Sequence, residues 1–112
     1  MRKYDLYVND ILRTISLIED TTNGYSFEKF TEDKNLVDAT AMRLQVIGES
    51  SKKLPISTKN KYKEFDWAIF KNLRNIISHA YFIINPGILF RTVKKDIPIL
   101  KKQILKIKKD LE

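Results

Sequence analysis

Arg74 and His79 stand five positions apart in the stretch "LRNIISHAY", and His79 is the chain's only histidine. Tyr81 follows two residues later. A guanidinium beside an imidazole suits phosphate chemistry: the planar fork meets phosphate oxygens bidentately, and the imidazole moves a proton near neutral pH. On a helix turning about 100° per residue, Lys71, Asn72, Arg74, Asn75, Ser78 and His79 share one arc. Ile69, Leu73, Ile76, Ile77 and Ala80 share the opposite, apolar arc. Arg74 with Ser78, and Asn75 with His79, stack at i,i+4 into two polar ridges, and Tyr81 lies about two turns beyond Arg74 on nearly the same line.

That polar arc holds no carboxylate. A divalent ion in phosphate chemistry needs Asp or Glu oxygens, and zinc needs more nitrogen or sulfur ligands than one histidine supplies. No metal and no other cofactor is therefore expected. Each residue also has a plainer role open to it. Arg74 either binds phosphate and stabilises the transition state or forms a salt bridge, with Glu49 as a candidate partner. His79 is either a proton carrier or an ordinary helix-surface histidine. Asn75 either orients the His79 ring or bonds backbone at a subunit seam. Ser78 reads as a small residue at a close approach, since no base is dedicated to it. Glu49 reads as a structural partner rather than a catalyst, and Phe65, Trp67 and Phe70 read as core, with base stacking open to any of them that is exposed.

The elements that must position these groups are helical. Tyr4, Val8, Ile11, Ile15 and Ile18 repeat at three- and four-residue spacing and define a first helix, with Gly24 as its stop. Val37, Ala41, Leu44, Ile47 and Ser51, with Met42 and Val46 beside them, define a second helix from about Asn35 to Lys53, ended ahead of Pro55. A short turn is expected around Lys59 to Lys63. Asp66 reads as the N-cap of a third helix, Trp67 to about Ile84, which "NPG" breaks. A fourth, from about Ile88, turns Val93, Ile97, Leu100, Ile104 and Ile107 inward, and Pro98 starts a segment or kinks it. The fold class is all-α: a mostly antiparallel bundle of four main helices, with room for an extra short one, in a single domain over residues 1–112.

A chain of 112 residues with 43% hydrophobic composition supports one modest core. No cysteine is present, which excludes disulfides and thiolate chemistry and fits a reducing compartment. "MRKYDLYVND" carries charges where a signal peptide needs an apolar run, and "YFIINPGILF" is broken and too short for a membrane span. A cytoplasmic protein without a membrane partner is expected. Net charge is +7, and from Arg91 to Glu112 eight basic residues face three acidic ones. That excess suits a polyanionic partner, or simply a solvated lysine face.

The motif "LRNIISHAYF", read as R-N-x-x-x-H-x-Y, resembles the signature of HepT-type toxins in the HEPN (higher eukaryotes and prokaryotes nucleotide-binding) superfamily. "LQVIGESSKKLP" resembles that family's I-G-E segment closing the second helix, "FDWAIFKNLRN" its aromatic lead-in and "IPILKKQI" its final helix, so the likeness covers essentially the whole chain. The resemblance implies a metal-independent endoribonuclease, the toxin of a toxin–antitoxin pair, with Arg74 and His79 as its site. It implies a homodimer whose two R-x4-H motifs face one cleft. It also implies a nucleotidyltransferase antitoxin that silences the RNase by transferring AMP to Tyr81.

A dimer would answer the difficulty of the lone histidine. Attack of a 2′-OH on the adjacent phosphate needs a base for the hydroxyl and an acid for the departing 5′-oxygen. A two-fold axis beside the third helix supplies two His79 and two Arg74. Either the two imidazoles divide the roles, or one His79 acts with water assisting. Two other functions remain open at this stage: a non-catalytic helical subunit binding nucleotide or substrate for a nucleotidyltransferase, and a nucleic-acid-binding module using the lysine-rich final helix.

Overall fold

Residues 3–80 and 85–111 are described by a computed structural model, with side chains described for all of these except positions 3, 76 and 78–80. Among the described residues every regular element is helical. In chain order they are α1 (Lys3–Thr22), α2 (Phe27–Glu32), α3 (Lys34–Lys52), α4 (Ile56–Lys61), α5 (Ala68–Ala80), α6 (Pro86–Arg91), a π-helical turn (Thr92–Asp96) and α7 (Ile97–Leu111). The four long helices α1, α3, α5 and α7 match the four apolar repeats in the sequence, and the architecture is an all-α bundle. α3 is central, packing on α1 at one side and α5 at the other, while α7 packs on α1.

Burial follows the periodic stripes. Val8, Ile11, Ile15 and Ile18 of α1, Val37, Ala41, Leu44 and Ile47 of α3, and Ile97, Leu100, Ile104 and Ile107 of α7 are all buried in one core. Each Val, Leu or Ile among them stabilises the fold by about 1.5–3 kcal/mol on full burial. On α5 the inward line runs through Phe70, Leu73 and Ile77, while Ile69 is only half-buried. The buried stripe is thus turned toward Phe70 relative to the arc read from the sequence. Phe65 is buried against Phe70 with ring centroids 5.8 Å apart, and the half-buried Trp67 donates its indole N–H to the Tyr62 carbonyl at 3.2 Å. These rings fix the approach to α5, and Asp66 Oδ1 accepts the Ala68 N–H at 3.1 Å.

Three departures from the sequence expectations have physical causes. α2 was not anticipated. It is a six-residue helix capped by Ser26, whose Oγ accepts the Lys29 N–H, and it holds only because Phe30 is fully buried and stacks obliquely on Phe90 at 5.4 Å. The turn near Lys59 begins earlier and is a helix, α4. The fourth helix is not continuous from Ile88. Pro98 has no N–H to offer a carbonyl one turn back, and the chain answers with the π turn, in which Ile97 N–H reaches back to Thr92 O. α5 is described to Ala80, so the expected continuation to Ile84 lies outside the described residues.

Candidate active site

The site is built where α3 and α5 approach most closely. A Cβ placed on Gly48 would stand 2.7 Å from the Phe70 carbonyl oxygen and 3.0 Å from Arg74 Cβ, so only a residue without a side chain permits this packing. The next residue, Glu49, is consequently held at the edge of α5. Its Oε1 accepts from Arg74 Nη1 at 2.9 Å. Asn75 Oδ1 accepts from Arg74 Nη2 at 2.7 Å. Arg74 Nε is enclosed and has no hydrogen-bond partner among the described residues.

Arg74 lies close to the inward stripe, one turn beyond Phe70, which explains why its side chain is only 19% exposed while that of Glu49 is 42% exposed. An ion pair with so much solvent contributes little to stability. Its effect is on direction: it fixes a guanidinium on the α3–α5 seam with two of five donors engaged. Of the roles open to Arg74, the salt bridge to Glu49 is present. Glu49 serves as a structural partner, and it brings to the site a carboxylate that α5 itself lacks. The Asn75 carboxamide holds Arg74.

His79 lies on α5, but its side chain is outside the described residues, as is that of Ser78; Tyr81 lies outside them altogether. Helix geometry still constrains the pair. Five residues at about 100° each put positions 74 and 79 about 140° apart around the α5 axis.

The sequence placed Met42 and Val46 beside the α3 core stripe. They are instead 60% and 38% exposed. With Glu49 they follow i, i+4, i+7 spacing, so an exposed apolar strip leads along α3 to the Arg74–Glu49 pair. Among the described residues no cluster of three His, Cys, Asp or Glu could hold a metal ion, and no helix is long and apolar enough to cross a membrane.

Residues 11–107 match the "Ribonuclease HepT-like" family. A Thermococcus cleftensis protein named "Probable ribonuclease HepT" is 38% identical over 96% of this chain and 98% of its own length. A Caldanaerobacter subterraneus protein named "Putative RNase" is 34% identical over 90% of both chains. A Methanocaldococcus jannaschii protein named "Gamma-glutamylcyclotransferase and putative RNase" is 41% identical over the whole chain, which spans about half (51%) of that relative's length. No solved structure matches. The helical fold, the motif and these similarities define the class: the chain belongs to the HepT-like ribonuclease family. Cleavage of RNA is the activity that this membership carries.

Proposed function

We propose that the protein is a metal-independent endoribonuclease toxin that cleaves RNA with Arg74 and His79 at a homodimer interface. The observation that carries this reading is the Arg74 guanidinium, held on the exposed α3–α5 seam by Glu49 and Asn75 on the same helix as the single histidine. The 2′-hydroxyl attacks the neighbouring phosphorus: the O2′–P bond forms as the P–O5′ bond breaks. One imidazole takes the 2′-OH proton, and a protonated imidazole or a water gives one to O5′. The products are a 2′,3′-cyclic phosphate and a 5′-hydroxyl. Arg74, with one N–H on each of Nη1 and Nη2 not engaged, stabilises the charge on the non-bridging oxygens.

The single histidine supports a site completed across a two-fold axis, since a second α5 supplies a second imidazole and a second guanidinium. Met42 and Val46 give that axis an apolar footing continuous with the site. The partner in this reading is a nucleotidyltransferase antitoxin, which silences the enzyme by placing AMP on Tyr81, two positions beyond His79.

A non-catalytic subunit that binds nucleotide for a nucleotidyltransferase is the second reading, and the engagement of Arg74 by Glu49 is what favours it. One experiment separates the two. The purified protein is incubated with RNA in excess EDTA and the 3′ ends are analysed. Cleavage leaving 2′,3′-cyclic phosphate is expected; intact RNA, or cleavage only on addition of magnesium or manganese, overturns the proposal.

A further inference from the structure

A second feature of the α3–α5 seam lies toward the start of α5. Gly48, Ser51 and Lys52 of α3, Lys59 of α4, and Trp67, Ala68 and Lys71 at the beginning of α5 enclose a cleft of about 190 Å³. Three of its lining residues are lysines and none is acidic. None of the three forms an ion pair with a carboxylate among the described residues; Lys59 Nζ instead donates to the Lys52 carbonyl at 3.3 Å. The Lys59 ammonium is pushed below its ordinary value, first by its own burial and then by the charge of Lys71. Ser51 is 3% exposed, and its Oγ has no hydrogen-bond partner among the described residues. Of the carboxylates that flank the lining residues in sequence, Asp66 accepts the Ala68 N–H and Glu49 is paired with Arg74.

Lys59 is half-buried and Lys52 and Lys71 are exposed at its side, and like charges gathered around one cleft disfavour one another unless an anion joins them. A hydroxyl buried without a partner costs stability in the same way. Gly48 borders this cleft and packs beside Arg74 on α5, so the cleft lies next to the base of the Arg74 side chain. Lys71 precedes Arg74 by three residues, about 4.5 Å along the helix axis. Residues three apart are neighbours on a helix surface, so the two side chains can serve one strand.

We propose that this cleft is a subsite for the RNA strand, in which Lys59 and Lys71 hold a backbone phosphate next to the one positioned at Arg74. Lys52 adds charge at its edge, and the Ser51 hydroxyl donates to a phosphate oxygen. The indole of Trp67 offers a flat surface for an adjoining base. The subsite rests on the ribonuclease reading, yet it is measurable without cleavage.

The test uses a fluorescent twelve-nucleotide oligoribonucleotide, 2′-O-methylated throughout so that it cannot be cut, and reads binding by anisotropy across a salt series. Lys59→Gln/Lys71→Gln is expected to weaken binding about tenfold and to flatten the salt slope by about 0.7, the value for one phosphate neutralised on a single strand. Lys59→Arg/Lys71→Arg, which keeps both charges, retains most of the affinity. Lys29→Gln/Lys34→Gln removes the same charge elsewhere and shifts affinity less than twofold. The proposal is overturned if the cleft pair binds within twofold of the unaltered protein, or if the remote pair loses as much as the cleft pair. Melting curves exclude unfolding as the cause of any loss. Failure of the ribonuclease reading shows separately, as an unmethylated oligonucleotide left intact by the unaltered protein.

Discussion

The Arg74 guanidinium donates to the Glu49 carboxylate at 2.9 Å, linking α5 to α3 beside a glycine that lets the helices touch. Because Glu49 is 42% exposed, this bond orients far more than it stabilises. A carboxylate at that place also repels the phosphate that Arg74 is proposed to hold. The two effects have opposite signs on binding and turnover, and that makes them separable.

Glu49→Gln should therefore lower kcat, by up to about 100-fold where a misplaced group costs an ångström of alignment, while KM stays level or falls. Single-turnover kinetics with saturating RNA measure this. An unchanged kcat would show that Glu49 does not position Arg74.

Arg74→Ala is expected to lose about 10²–10³ in kcat through the missing oxyanion donor, and Arg74→Lys should recover little because a lysine has no fork. His79→Ala should lose about 10²–10⁴. Mixing the Arg74→Ala and His79→Ala proteins and allowing subunits to exchange should restore part of the activity, because a mixed dimer retains one arginine and one histidine. If the mixture is no more active than either component, the shared site is wrong.

Exposed Met42 and Val46 lead to the site, so a charge on that strip should act on assembly before chemistry. Val46→Glu is expected to convert a dimer into monomers by light scattering, with helical content unchanged by circular dichroism and RNA cleavage lost. A dimeric Val46→Glu protein would move the interface elsewhere.

Gly48→Ala tests the close approach itself. Alanine is worth about 1 kcal/mol more than glycine inside a helix, but here its methyl would meet a backbone carbonyl oxygen at 2.7 Å. The overpacking cost of about 1–3 kcal/mol should win, a net loss of up to about 2 kcal/mol that lowers Tm by up to roughly 8 °C. A variant more stable than the parent would mean that α3 and α5 have room to spare.

Tyr81→Phe examines control by the antitoxin. The variant should cleave RNA yet take up no AMP from ATP, magnesium and the cognate nucleotidyltransferase, as read by intact mass. Its activity should persist in that mixture. Gain of AMP together with loss of activity would assign the switch to another residue.

The sequence by itself determined the four long helices and most of the residues they bury, since a stripe repeating every three to four residues already records which side of a helix faces away from water. It also determined the Arg74/His79 motif and, through that motif and its flanks, the family. Tertiary structure alone decided what those groups meet. The Arg74–Glu49 contact spans 25 residues and depends on the missing side chain at Gly48, which no single-helix pattern reports. The lysine cleft draws its members from three helices. α2 exists because Phe30 has Phe90 to pack against, sixty positions along the chain. Periodicity is a property of one segment and its exposure to solvent; contacts between segments depend on how closely two backbones can approach, and that is settled only when the side chains of both are in place.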